Sequence, residues 1–186
     1  MARTPSNMLP LGTIAPDFEL LDIVTDTTRS YEDIAGAEAT LVMFICNHCP
    51  FVKHIEDELI NITNEYVLQG VGVVAISSND IEKYPQDAPE KMKELAEEKG
   101  YPFPYLFDAT QDIAKAYHAA CTPDFYIFDK EKKLVYRGQL DDSRPGTDIP
   151  VSGKDIRNAL DRILGGDIPD PNQKPSLGCN IKWKEH

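Results

Sequence analysis

Two of the chain's four cysteines, Cys46 and Cys49, stand at C-x-x-C spacing in the stretch FICNHCPFVKH. His48, Lys53 and His54 can carry positive charge around them, and no carboxylate appears before Glu56. Thiols so spaced can cycle between dithiol and disulfide, one of them can attack a peroxide, or the set can clip a soft metal. Their place along the chain weighs between these uses. An apolar, β-favouring run from Ala39 to Ile45 ends directly before Cys46, and a helical stripe starts directly after Cys49. Cys49 therefore falls in a first helical turn, where unpaired N–H groups and the dipole favour a thiolate. His48, when protonated, adds to that field, and Lys53 and His54 lie one turn on. A zinc or copper clip built from Cys46, Cys49 and either His48 or His54 lacks the second C-x-x-C of a four-cysteine site. A redox dithiol fits better than a metal site or two merely packed cysteines.

A second signal is Thr122-Pro123 in CTPDFYIFD. Proline is acceptable at the first residue of a strand, and an X-Pro bond there can be cis. The loop Ser77–Asp80 follows a buried strand, where α/β folds often place functional groups, but no partner residue assigns it a role. Arg137 and Arg144 are both candidates to approach a thiolate.

The elements that position these residues follow from apolar periodicity. Ala39–Ile45 and Val71–Ser77 read as buried strands. Between them Val52, Ile55, Leu59, Ile62 and Tyr66 recur at helical steps, so the segment reads as one amphipathic helix in a right-handed βαβ unit. A further helix is expected from Pro89 to Gly100, a short strand in FPYLFD, and a brief helix capped by Thr110. DFYIFDKEKKLVYRG predicts an antiparallel hairpin, and Ser152 with Asp155 a capping box for a last helix ending at Gly165-Gly166. The whole is a mixed-sheet α/β domain over residues 1–165, followed by an extended Pro-rich tail over 166–186 that Ile181 and Trp183 pin down.

The 186 residues suffice for one core without staples. A net charge of −12 opposes nucleic acid or an anionic membrane as partner. No signal-like apolar segment opens the chain and no run is long enough to span a bilayer, so a cytoplasmic location is expected. In that reducing compartment four cysteines do not read as a disulfide framework.

APDFEL near the start, LVMFICNHCPF, and TPDFYIFDKEKKLVYRG together resemble the thioredoxin superfamily, and within it the peroxiredoxin-like redoxins of the alkyl hydroperoxide reductase and thiol-specific antioxidant type. The resemblance covers most of residues 10–165, and PSLGCNIKWK is similar to the tail of a peroxiredoxin-like subgroup. It implies a thioredoxin-like fold, a central mixed sheet flanked by helices, with a cis-proline at Pro123 and with Thr122 facing the dithiol to hold substrate. By thioredoxin logic it implies an exposed nucleophile at Cys46 and a buried resolver at Cys49, with His48 steadying the thiolate. By peroxiredoxin logic the attacking residue is Cys49, followed by Pro50, although Val42 and Cys46 stand where that family has proline and threonine. Thr40 stands where thioredoxin keeps a buried acid. Cys121 and Cys179 are then candidate resolving cysteines, and Cys121 is also placed to link a homodimer.

The expected activity is thiol–disulfide exchange, with hydroperoxide reduction through Cys49 and non-enzymatic copper or zinc handling as alternatives. The partners implied are a disulfide-bearing protein, a small thiol or a hydroperoxide, together with a thiol reductant. No organic cofactor is implied and no resident metal is expected.

Overall fold

A computed structural model describes residues 3–185. In chain order its elements are β1 (Arg3–Pro5), β2 (Glu19–Asp22), β3 (Thr27–Ser30), α1 (Tyr31–Ile34), β4 (Ala39–Phe44), α2 (Pro50–Lys53) and α3 (Glu56–Val67). There follow β5 (Val71–Ser77), a 3₁₀ turn (Pro85–Asp87), α4 (Pro89–Lys99), β6 (Tyr105–Phe107), α5 (Asp112–Ala116) and β7 (Cys121–Thr122). The chain closes with β8 (Asp124–Asp129), β9 (Leu134–Gly138), α6 (Lys154–Leu164) and β10 (Leu177–Asn180).

Seven strands form a mixed sheet in the order β3-β2-β6-β5-β4-β8-β9, and a second small sheet runs β1-β10-β7. β4 and β5 pair in parallel, whereas β4 with β8 and β8 with β9 are antiparallel. The central strands read as continuous apolar runs because both faces are covered, and alternation sorts their side chains into two cores. Leu41, Met43, Val73, Ala75, Phe125 and Ile127 pack on one side with Leu59 and Ile62 of α3, Met92 of α4 and Leu160 of α6. Val42, Phe44, Val74, Ile76, Tyr126 and Phe128 pack on the other with Tyr31 of α1 and Ala114 of α5.

Three local expectations are corrected. The single helix after the cysteines is two, α2 and α3, divided where Ile55 takes φ −115° and ψ 3°. Its apolar stripe survives the break: Val52, Ile55, Leu59, Ile62 and Tyr66 are all buried. Ser152 and Asp155 do not make a capping box, because Gly153 (φ 67°) precedes α6 and Asp155 instead accepts a hydrogen bond from Gln139. No side chain caps the helix: the N–H groups of Asp155 and Ile156 donate to the Leu140 carbonyl at 3.1 and 3.4 Å. Asp141 accepts from the N–H groups of Ser152 and Gly153 just before it, at 2.8 Å each. Ile181 is buried as expected, but Trp183 is 40% exposed and pins nothing into the core. α4, by contrast, begins at Pro89 and stops against Gly100 in the left-handed region, as its end signals require.

Gly72 of β5 carries a close approach that no larger residue permits. A Cβ there would lie 2.0 Å from the Ile34 carbonyl oxygen and 2.6 Å from the Gly36 nitrogen, both backbone atoms. Gly72→Ala is expected to lower stability by about 1–3 kcal/mol or more. Urea unfolding checks this as a fall in midpoint at unchanged slope.

Candidate active site

Cys46 is delivered by the end of β4, which continues one bond further through the Ile45 N–H to the Ile76 carbonyl at 3.0 Å. Cys49 caps α2 with an extended backbone (φ −74°, ψ 123°), and Pro50 at the first helical position presets the turn. From the opposite side comes Thr122-Pro123, whose peptide bond is cis. The Thr122 hydroxyl lies 3.5 Å from the Cys46 sulfur and its carbonyl oxygen 3.4 Å from the Cys49 sulfur.

The thioredoxin-like expectation of an exposed Cys46 over a buried Cys49 does not hold. Both are buried, at 1% and 0% exposure, because β4 runs into the core and the Thr122 loop lies against both sulfurs. The difference between them is electrostatic. Cys46 first, then Cys179, Thr122 and the Val52 N–H favour the charged form of Cys49, and against the opposing pull of burial its thiol is lowered to about 5. Cys46 is raised well above the usual thiol range by donating to Cys49, then by burial and by the charge of Asp87. As a thiol Cys49 can donate to the Thr122 carbonyl. As a thiolate it meets several converging donors, and their number favours the charged form.

Cys179, carried by β10, lies with its sulfur 2.7 Å from that of Cys49 and is itself buried. Burial and its bond to Cys49 push its thiol up to about 12. Cys121 is fully buried as well, but its thiol faces the Pro123 carbonyl oxygen at 3.7 Å and is pushed up by burial. The structure thus brings Cys46, Cys49, Cys179 and Thr122 together and turns Cys121 aside.

His48 sits between the cysteines, yet its ring faces Asp87 of the 3₁₀ turn, with Nδ1 2.6 Å from Oδ2. The contact is short, although Nδ1 does not point along a hydrogen-bonding direction. The same ring stacks on Tyr84, the planes inclined by 7°. Asp87 is wholly buried and accepts from the Asn47 N–H at 2.8 Å and from the Asn79 amide at 2.9 Å. Tyr105 donates to the Asn47 side chain, and Asn79 in turn accepts from the Lys182 N–H in the tail. Asp87 is missed by reading the sequence, since nothing in its local spacing marks it, whereas Asn79 lies in the Ser77–Asp80 loop, which the sequence marked without a partner residue. Asp87 lies 40 positions beyond Asn47 and reaches the site only through the tertiary fold. Thr40, where thioredoxin has its acid, is buried and accepts from the Gly36 N–H instead.

Donor atoms of Cys46, His48 and Asp87 lie within 4.8 Å of one another, and these are the residues that could hold a metal ion. Cys49 and His54, proposed from the sequence as further ligands, are not part of that group. Arg137 is occupied by the Leu9 carbonyl and Gln173, and Arg144 by Asp141, Ser143 and Gln139. Among the described residues neither arginine hydrogen-bonds a cysteine. A cavity of about 550 Å³ between α6 and the tail, lined by Tyr136, Arg162, Pro169 and Gln173, contains none of these groups.

Residues 11–137 match the AhpC/TSA family model. No curated protein matches the chain. An uncharacterized conserved protein from Geobacillus kaustophilus is 58% identical over 100% of this chain and 98% of its own, with a TM-score of 0.98. A hypothetical protein from Sinorhizobium meliloti 1021 is 46% identical over 98% of this chain and 100% of its own, with a TM-score of 0.95. The thioredoxin domain of a thiol-disulfide oxidoreductase from Bacteroides vulgatus is 20% identical over 72% of this chain and 91% of its own, and its TM-score of 0.61 establishes a shared fold. With a cis-proline set against a C-x-x-C dithiol on a thioredoxin-like sheet, and the family match spanning most of the domain, the chain belongs to the AhpC/TSA family.

Proposed function

We propose that this protein is a thiol–disulfide oxidoreductase whose working couple is Cys46–Cys49 and whose reacting group is the Cys49 thiolate. The observation that carries the reading is the Cys49 sulfur held 2.7 Å from that of Cys179 and 3.4 Å from the Thr122 carbonyl, in surroundings that favour its charged form. This reverses the order of attack expected from the sequence. Cys49 attacks a substrate disulfide, forming a mixed disulfide and releasing one substrate thiolate. Cys46 then gives up its proton and attacks the Cys49 sulfur, closing the internal disulfide and releasing the second substrate sulfur, which takes up that proton. Thr122 and Pro123 line the approach, and His48 with Asp87 steadies the loop that carries the dithiol. A thiol reductant returns the couple to its reduced form. Under this reading the protein works in the cytosol, where reducing systems keep such a couple cycling.

Hydroperoxide reduction at Cys49 is a second reading, favoured by the burial of both sulfurs, which suits a very small substrate. The two are separated by exposing reduced protein either to a glutathione redox buffer or to a small excess of hydrogen peroxide. Exchange predicts that Cys49 lies in a disulfide within the chain at equilibrium in the buffer, and a peroxide rate near that of an ordinary thiol. Peroxide consumption orders of magnitude faster than a free thiol, lost in Cys49→Ser, would replace exchange with the peroxidase reading. A Cys49 that never enters a disulfide within the chain in the redox titration sinks the exchange reading.

A further inference from the structure

Strand β10 holds Cys179 over Cys49 by backbone bonding along much of its length. Arg3 and Thr122 are its cross-strand partners on either side. Beyond the strand, Ile181 donates to the Ala120 carbonyl, Asp80 donates to the Lys182 carbonyl, and Lys182 donates to Asn79. Gly178 lets the strand lie this close, since a Cβ there would fall 2.0 Å from the Thr122 oxygen. The two sulfurs at 2.7 Å are already nearer than packing requires, and a bond between them needs a shift of less than about 1 Å.

Resting on the exchange chemistry proposed above, we infer that Cys179 is a third redox cysteine, to which the oxidised site passes its disulfide from Cys46–Cys49 to give Cys49–Cys179. The Cys179 thiolate attacks the Cys49 sulfur. The Cys49–Cys179 bond forms as the Cys46–Cys49 bond breaks, and the electron pair leaves on Cys46, which takes up a proton. One disulfide replaces another, so no oxidant is consumed.

The charge changes favour the step. In the reduced site Cys179 is held protonated by burial first, and then by its bond to Cys49 and by the charge there. Once Cys49 is in a disulfide those last two influences vanish. The opposing ones, the positive charge of Lys182 and the Phe51 N–H, remain to favour the Cys179 thiolate. Closing the dithiol therefore removes two of the three influences that hold Cys179 protonated, and burial remains. Transfer also returns Cys46 as a thiol and ties β10 covalently to the start of α2.

Peptide mapping reads the outcome on the wild-type chain. Protein equilibrated in oxidising glutathione buffer is quenched with acid, its free thiols are blocked, and it is cut with trypsin. Cleavage after Arg29 and Lys53 leaves Cys46 and Cys49 in one peptide, and cleavage after Arg162 and Lys182 leaves Cys179 in another, because Lys174 precedes proline and resists cleavage. The expected product joins these two peptides through Cys49. Cys179→Ala should lose the cross-link and keep the ring within the first peptide. Cys46→Ala should form the cross-link directly, without a lasting glutathione adduct on Cys49.

A wild-type map showing only the ring, a cross-link to the Cys121 peptide, or a stable glutathione adduct in Cys46→Ala overturns the third-cysteine proposal and leaves the exchange reading intact. A map with neither ring nor cross-link brings down both.

Discussion

Cys49→Ser is expected to abolish turnover with any disulfide or peroxide substrate, a loss of about a thousandfold or more, while Cys46→Ala keeps the attacking thiol. The asymmetry follows from which sulfur is ionised. At pH 7 a thiol whose midpoint is about 5 is about 99% thiolate, whereas one at the ordinary value of 9.0 is about 1%. Serine at position 49 removes both the nucleophile and the centre on which its neighbours converge.

The same argument makes a spectroscopic prediction. The thiolate ultraviolet absorbance of the wild-type protein should disappear as pH falls through about 5, because Cys49 then takes up its proton. In Cys46→Ala the largest of the stabilising hydrogen bonds is gone, and the transition should move upward. An absorbance transition that stays near 5 in Cys46→Ala but vanishes in Cys46→Ala/Cys49→Ser would keep Cys49 as the thiolate and strip Cys46 of its role in holding it. A transition that survives Cys49→Ser would assign the thiolate to another sulfur.

The second large effect is on stability rather than turnover. Asp124 follows the cis-proline and is buried, and burial raises its carboxyl from 3.8 to about 7 even though Ser6, Tyr126 and the Phe125 N–H all donate to it. Below the unfolded value both states are protonated and the residue is neutral in its effect. Between about 4 and about 7 the unfolded chain releases the proton while the folded chain retains it, so stability falls as pH rises. Above about 7 both are ionised and the full penalty applies, about 4 kcal/mol for a shift of this size. Asp124→Asn keeps an acceptor for Ser6 and carries no charge to bury.

Urea midpoints of the two proteins, measured across pH 4 to 8, should diverge in favour of the variant as pH rises. Taking the difference between the proteins cancels titrations they share, including that of Cys49. Parallel curves would mean that Asp124 ionises as readily in the folded protein as in the unfolded one.

Several features of this chain were legible from residue order alone. Continuous apolar runs at Ala39–Ile45 and Val71–Ser77 become central strands because a sheet covered on both faces places no polar position on them. Pro89 and Gly100 bound a helix because each acts through its own backbone geometry. The stripe from Val52 to Tyr66 named its buried face correctly but not the break at Ile55, because burial constrains side-chain direction and not the continuity of backbone hydrogen bonds. The dithiol stood out for a similar local reason, a strand end meeting a helix start.

Which thiol carries the charge was not local. It depends on Cys179 from the last strand, Thr122 from β7 and Asp87 from the 3₁₀ turn, each brought to the cysteines by sheet pairing or loop packing. Residue order alone determined that a C-x-x-C pair would sit at the carboxyl end of a buried strand. Only the tertiary structure set Cys179 and Thr122 against the Cys49 sulfur and lowered its thiol, because a pKa is set by the donors and charges that surround a sulfur in space.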